Sequence, residues 1–223
     1  MSFDLLSVIT ARHCKRAYLD RAVPPALLHE VLAAAAHAPS TRNAQPWEVV
    51  VVSGAARSRL VDRLCAAFDA DEPVRSDYAN RRPTTDPRES ERAERAARGL
   101  FEARGISRED ADGRRAHQRR NFQFHGAPVA MILHLPADAV PGTFLEMGFF
   151  LQNVMLGLVG CGLGSCPQFS PTGYSDRIRA ELGLGADRLI VCSLAVGYPD
   201  PAAAVNRFAP ERAAVAEYTR WLD

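Results

Sequence analysis

Arg12 and Arg16 sit four residues apart in the segment Arg12-His13-Cys14-Lys15-Arg16. On a helical or turned backbone this spacing brings both guanidinium groups to one side. Two planar donors converging on one point suit a phosphate, which accepts bidentate charge-assisted bonds. The competing reading is a solvated basic turn paired with Asp20 or Glu30. Near the other end of the chain, Asn206-Arg207-Phe208-Ala209-Pro210-Glu211-Arg212 offers Arg207 or Arg212 to complete the same phosphate site.

A second chemistry lies in Ala38-Pro39-Ser40-Thr41-Arg42-Asn43-Ala44-Gln45-Pro46-Trp47. This stretch breaks an alanine-rich helical run and leads into the apolar Val49 to Val52. Ser40, Thr41, Asn43 and Gln45 carry hydroxyl and amide groups able to read the carbonyls and N–H groups of a planar heterocycle. Polar groups placed where a helix hands over to a core strand face a ligand from a rigid support. The alternative is a helix stop followed by an Asx or Ser/Thr turn. A third segment, Gly162-Leu163-Gly164-Ser165-Cys166-Pro167-Gln168-Phe169, descends into a short strand or turn at Ser165-Cys166-Pro167, and backbone N–H groups in an irregular turn there can donate to a ring nitrogen. It is not a GxGxxG fingerprint, because no strand precedes it, and a Rossmann site is disfavoured. Cys166 has no charged sequence neighbour to activate it as a nucleophile. The six histidines show neither metal spacing nor a Ser/His/Asp order, so hydrolase and metalloenzyme readings gain no support.

The elements that must hold these residues follow from periodicity. A short helix is predicted from Phe3 to Thr10, with Asp4 near its start. Pro24 and Pro25 open a second over Ala26 to Ala36, which Pro39 stops. Trp47 to Ser53 reads as a strand buried on both faces, followed by a helix over Ala56 to Ala67. Residues 69 to 121 form a charged insert, with prolines among charges and then a stretch dense in Arg, Glu and Ala. Ser107-Arg108-Glu109-Asp110 resembles a capping box, which places a helix over Arg108 to Arg120. The insert reads as a pair of solvated helices, serving as a lid or a subunit contact. Its run from Arg114 to Arg120 is offset by acidic residues and reads as a solvated face, not a nucleic-acid site. Pro128 to Leu135 is a core strand. Phe144 to Leu158 is a helix apolar almost all round, hence buried in a core or an interface. Tyr174 to Leu182 is a small helix ending at a C′ glycine, Gly183. Leu189 to Gly197 is a further core strand, and a short helix containing Trp221 closes the chain. Helices flanking a few strands indicate an α+β sandwich over a single domain, residues 1 to 223.

Bulk composition adds limits. The chain has 223 residues, 47% hydrophobic and 24% charged, with a formal charge of +1, so no global field points to nucleic acid or an anionic membrane. Lys15 is the only lysine. Five cysteines, with no CxxC pair, read as free thiols in a reducing compartment. The apolar run Met147 to Val159, interrupted by Gln152 and Asn153, reads as too short and too polar to span a membrane. The N-terminus has no basic leader region, so a cytoplasmic location is expected.

Taken in order, these segments resemble the nitroreductase family of FMN-dependent flavoproteins. Arg12-His13-Cys14-Lys15-Arg16 is similar to its Arg-x-Ser-x-Arg phosphate motif. Ala38 to Trp47 is similar to its Ala-Pro-Ser-x-x-Asn-x-Gln-Pro-Trp signature. Gly160 to Gln168 resembles its glycine-rich turn ending in proline over the flavin, and Asn206 to Arg212 its C-terminal phosphate-binding segment. The insert resembles that of the nitrobenzoate-reductase-like branch. The resemblance implies an α+β fold with a central mixed or antiparallel sheet, an intertwined homodimer, and two FMN sites at its interface. It implies Arg12, Arg16 and Arg212 on the phosphate, with His13 and Cys14 beside them. Ser40 and Asn43 are then expected to reach the flavin of the partner subunit, Gln152, Pro167 and Gln168 to line the ring, and Pro39, Thr41 and Phe169 to belong to the cofactor site with them. NAD(P)H is the implied electron donor, and a nitroaromatic, quinone or similar molecule the acceptor. The flavin itself carries the reaction, with no side-chain acid or base. Within the same fold, an ene-reductase, dehalogenase or oxidase is the rival, and outside catalysis a flavin-binding protein. Two departures stand out. Cys14 occupies a position where the family usually has serine, and a thiol is a weak donor to phosphate. Pro210 lies near where some members carry a phosphate-facing lysine.

Overall fold

The two longest apolar strands become the middle of one antiparallel sheet. A computed structural model describes residues 4–80, 83 and 86–222. In it β2 (Val129–Pro136) pairs with β4 (Arg188–Gly197). β1 (Glu48–Ser53) flanks β2, and β3 (Gly164–Gln168) flanks β4, giving the order β1-β2-β4-β3. Alternation along each strand decides what each face holds. Val129, Met131, Leu133 and Leu135 of β2, with Leu194 and Val196 of β4, pack toward α2 (Pro25–Ala35) and α6 (Pro141–Gly160). Ala130 and Ile132, with Ile190 and Ala195, meet α3 (Gly54–Asp69), α7 (Ser175–Leu182) and Phe122 of α5 (Ala111–Phe122) on the other face. The product is the expected α+β sandwich, a layer of helices on each side of the sheet.

Several expectations are corrected. The valine run of β1 is not buried on both faces, for β1 is an edge strand. Val52 is buried there, but Val51 is 41% exposed. Consecutive valines satisfy β-propensity equally at an edge and in the centre. Among the described residues β1 has a strand, β2, on one side only, and this position in the sheet, not the valine run, goes with its exposure. α5 begins at Ala111, not Arg108: the Asp110 carboxylate accepts from Gly113 N–H at 2.8 Å and caps it, whereas Ser107 caps nothing. α4 (Pro87–Ala103) buries none of its residues, while α5 buries His117 and Phe122, so only half of the insert is a solvated helix. Among the described residues after Arg207 a single 3-10 turn, Val215–Glu217, forms, and Trp221 lies outside it, 82% exposed. Gly183 does end α7, with φ of 65° in the left-handed region. The first helix, α1 (Leu5–Ala11), starts beyond Phe3, which lies outside the described residues.

α6 is longer than the apolar run suggests. Pro141 opens it, where a missing N–H costs nothing, and Gly162, with φ of 72°, turns the chain just past its end. At 20 residues it is long and apolar enough, by length and composition, to cross a membrane, against expectation. Met147, Phe150, Val154 and Leu158 on it are nonetheless buried in the sheet core. Gly157 lets α2 approach, for a Cβ there would lie 3.1 Å from Val31 Cγ1.

Candidate functional site

α1 stops because Arg12 turns extended, with φ −69° and ψ 111°. The chain then runs along the ends of β3 and β4. Lys15 N–H donates to the Ser165 carbonyl at 3.0 Å, and Leu19 N–H to the Tyr198 carbonyl at 2.9 Å. This overturns the helical or turned backbone expected for residues 12–16, yet keeps its consequence. In an extended chain alternate side chains share a face, so Arg12, Cys14 and Arg16 align while Lys15 packs against Gly164. A cavity of about 200 Å³ opens beside them. Arg12, His13, Cys14 and Arg16 line it, with Ala96, Ala97 and Leu100 of α4 and with Phe208, Pro210 and Arg212.

The two ends of the chain are tied together by Asn206, in the short helix α8 (Ala204–Arg207). Its buried side-chain oxygen accepts from Arg16 N–H at 2.7 Å and Ala17 N–H at 3.2 Å. Its amide donates to the carbonyls of Ala17 at 2.7 Å and Asp200 at 2.9 Å. His13 Nδ1, 2.9 Å from the Ala11 carbonyl, is placed to donate there. Its Nε2 lies 2.7 Å from Lys15 Nζ and 2.9 Å from the Asn206 carbonyl, to which the Lys15 ammonium also donates at 3.0 Å. Sequence reading passed over Asn206 as a clamp, since a lone asparagine carries no spacing signal. Arg207 donates instead to the Ala202 carbonyl at 2.9 Å, away from the cavity, which leaves Arg212 as the C-terminal arginine on its wall.

The electrostatics of this region are one-sided. Among the described residues, Arg12, Arg16 and Arg212 make no ion pair, so the pairing with Asp20 or Glu30 is not formed. Arg104 Nη2 donates to the Arg16 carbonyl at 2.7 Å, and burial with the nearby Arg120 and Arg16 pulls its pKa down to about 10. His125 is buried with neither ring nitrogen bonded, and burial together with Arg16 and Arg104 lowers it to about 3. His117 falls to about 4 for the same reasons. Cations gathered without a counter-ion disfavour each other, and an anion relieves the strain. Cys14 is held below the ordinary thiol range by its contact with Cys166 and by Arg16, Arg12 and His13. Cys166 is raised by that contact and by burial. The thiol that the cluster favours as an anion is thus Cys14, a pairing across the fold that sequence cannot reveal.

The polar loop sits elsewhere on the chain. Pro39, Ser40 and Asn43 line a separate cleft with Ala36, His37, Ala38 and Gln45. Arg42, Asn43 and Gln45 all have positive φ, at 54°, 56° and 47°. Such conformations cost about 1–3 kcal/mol each and persist where surrounding bonds over-determine them. Here Gln45 N–H donates to Ser40 Oγ at 3.0 Å, and Thr41 N–H to the Glu146 carboxylate at 2.8 Å, a bond that also lowers the Glu146 pKa. Trp47 stacks on Phe150 with centroids 5.0 Å apart. Thr41 and Asn43 remain exposed.

Of the short strand or turn expected at Ser165-Cys166-Pro167, the third segment forms the strand, and not an irregular turn. Pro167 and Gln168 pair with Leu194 and Ser193 in the β3–β4 ladder. The Gln168 amide donates to the Asn121 carbonyl at 3.0 Å, while its buried side-chain oxygen has no partner. Phe169 is 47% exposed and opens onto a cleft with Phe68, Asn121, Phe122 and Ser170. Gln152 lies half-buried on α6. The chain therefore brings Arg12, His13, Cys14, Arg16 and Arg212 around one cavity, and leaves the residue 39–43 loop in another place.

An arginine-lined cavity without a carboxylate, where the two ends of the chain meet, has the chemistry to suit an anion. The sequence matches the Nitroreductase family over residues 9–198, and the chain belongs to that family. It is 36% identical to Nitroreductase NfnB of Mycolicibacterium smegmatis, over 96% of this chain and 91% of that protein. It is 33% identical to the chloronitrobenzene nitroreductase of Comamonas testosteroni, over 96% and 95%. The solved structure of the FMN and NADPH-dependent nitroreductase NfnB from Sphigopyxis sp. strain HMH superposes with a TM-score of 0.95. It shares 36% identity and covers 99% of this chain and 100% of its own.

Proposed function

We propose that the chain is an FMN-dependent oxidoreductase that uses NADPH or NADH to reduce nitroaromatics, quinones or similar electron-poor molecules. The observation that carries this reading is the convergence of Arg12, Arg16 and Arg212 on one cavity without a carboxylate. The cavity fits the phosphate end of FMN. Its apolar walls, Ala96, Ala97, Leu100 and Phe208, lower the local dielectric and strengthen a phosphate–guanidinium contact. Its volume of about 200 Å³ is too small for a whole flavin, since ligand sites run to roughly 300–1,000 Å³. The ring then rests on further surface. Pro167, Gln168 and Phe169 supply part of it, with Gln152.

The rest comes from a second copy of the chain in a homodimer, through Pro39, Ser40, Thr41 and Asn43. Three exposed apolar regions support such an interface. Leu5 and Leu6 on α1 are exposed, as are Leu145 and Phe149 on α6 and Trp221 and Leu222 in the tail. Free thiols at all five cysteines support a cytoplasmic location.

When bound, FMN supplies the redox chemistry, exchanging a hydride with the nicotinamide donor and then with the acceptor in ping-pong order. The protein's own work is to bind and orient. Arg12 and Arg16 neutralise the phosphate, and Asn206 fixes the backbone that presents Arg16. His117 and His125 stay neutral near pH 7. The test is steady-state oxidation of NADPH at varied nitroaromatic concentration by the FMN-loaded protein. Parallel double-reciprocal lines are expected. Intersecting lines overturn the ping-pong order, and absence of acceptor-dependent oxidation overturns the activity.

A further inference from the structure

Cys14 and Cys166, far apart in sequence, meet at the wall of the arginine-lined cavity. The hydrogen bond from Lys15 N–H to the Ser165 carbonyl, 3.0 Å, clamps the two segments together one residue away from each thiol. Cys14 lines the cavity, Cys166 is buried behind it on β3, and both are free thiols. The pair divides its charge. Cys14, facing Cys166, Arg16, Arg12 and His13, is favoured as the thiolate, while Cys166 keeps its proton because of Cys14 and burial, against the weaker pull of Arg16 and Arg104. Tyr18, buried beside both, also keeps its proton. Cys65 and Cys192 lack such a partner and are pushed up by burial. A half-buried thiolate on a cavity wall, backed by a protonated thiol, is the arrangement of an attacking and a resolving cysteine.

We propose that Cys14 and Cys166 form a peroxide-oxidisable pair, a redox modification site in the wall of the cavity. The Cys14 thiolate attacks one oxygen of a hydroperoxide. An S–O bond forms, the O–O bond breaks, and the departing oxygen leaves as hydroxide or alkoxide, taking up a proton from water. Cys14 becomes a sulfenic acid. The Cys166 sulfur then attacks the Cys14 sulfur. The S–S bond forms, the S–O bond breaks, and hydroxide leaves with the Cys166 proton as water. Two thiols lose two electrons in all, and one peroxide gains them. This chemistry goes beyond the proposed reductase activity and does not depend on it.

The test treats the purified protein with hydrogen peroxide and maps its thiols. The expected result is loss of two hydrogens from the intact mass and a peptide linking Cys14 to Cys166. In Cys166→Ser, Cys14 is expected to stop at a sulfenic acid that dimedone traps, which a merely adjacent buried thiol would not do. The proposal is overturned if Cys14 and Cys166 are still alkylated by iodoacetamide after peroxide has oxidised other cysteines. A disulfide that forms through Cys65, Cys161 or Cys192 instead also overturns it. Should the variant fail to fold, the peptide map of the wild-type protein decides alone.

Discussion

Arg16→Ala is expected to weaken FMN binding about ten- to a hundredfold while leaving the flavin-free protein as stable as before, or more so. The loss follows from a charge-assisted bond to phosphate, about 1.5–3 kcal/mol, at about 1.4 kcal/mol per tenfold in affinity. Arg16 is half-buried, so solvent screens it less than a surface cation. Its backbone is held by Asn206 and by Arg104, bonds that survive truncation of the side chain, so the cavity keeps its shape. On the stability side, Arg16 depresses the pKa values of Arg104, His117 and His125, and its removal relieves that repulsion. The assay is a fluorescence titration with FMN and, in parallel, with riboflavin, which lacks the phosphate, plus urea unfolding without flavin. FMN affinity should fall and riboflavin affinity should not. Equal losses for both ligands, or unchanged FMN affinity, would refute the phosphate assignment.

Arg212→Ala should act in the same direction but more weakly, about three- to tenfold in FMN affinity, because its guanidinium is exposed; a larger effect than that of Arg16→Ala would contradict this ranking. Asn206→Ala removes four hydrogen bonds, three of which join the two ends of the chain. At about 0.5–1.5 kcal/mol each, it should cost about 2–6 kcal/mol in urea denaturation and also loosen FMN; full stability would sink the clamp. Asn43→Gly keeps the positive φ of 56° without its steric cost but deletes the amide. Flavin retention should fall with no loss of Tm, whereas a drop in Tm would mark Asn43 as structural.

The two depressed histidines set a pH dependence. Each is near 6.5 when unfolded and is lowered in the fold, to about 3 for His125 and about 4 for His117. Below pH 6.5 the unfolded chain therefore binds more protons, and folding stability falls as pH falls toward the native values. The slope should reach up to about 1.4 kcal/mol per pH unit per histidine. Urea midpoints of the flavin-free protein between pH 7 and pH 5 would reveal it, His125→Phe should flatten it, and a flat wild-type profile would contradict it.

Much of the frame was legible because burial leaves a pattern. β2 and β4 were visible as apolar runs because both of their faces are covered, and α6 because its apolar residues leave almost no polar face. β1 carries the same kind of run but lies at the edge, and strand order is set by pairings no local window contains. The start of α5 fell to Asp110 over Ser107 because neighbouring residues can both cap, and only the geometry of the following turn chooses between them. In the site, the alignment of Arg12 with Arg16 was right for a wrong reason, since helical and extended chains both bring residues four apart to one side. The Asn206 clamp, the Arg104–His117–His125 cluster and the Cys14–Cys166 contact join segments distant in sequence, and no spacing rule reaches them.

Anaerobic addition of NADPH to the FMN-loaded protein tests the central claim most directly. The flavin's visible absorbance should bleach in proportion to bound FMN and return when a nitroaromatic is added without oxygen. A flavin that stays oxidised in the presence of excess NADPH and NADH would contradict the account.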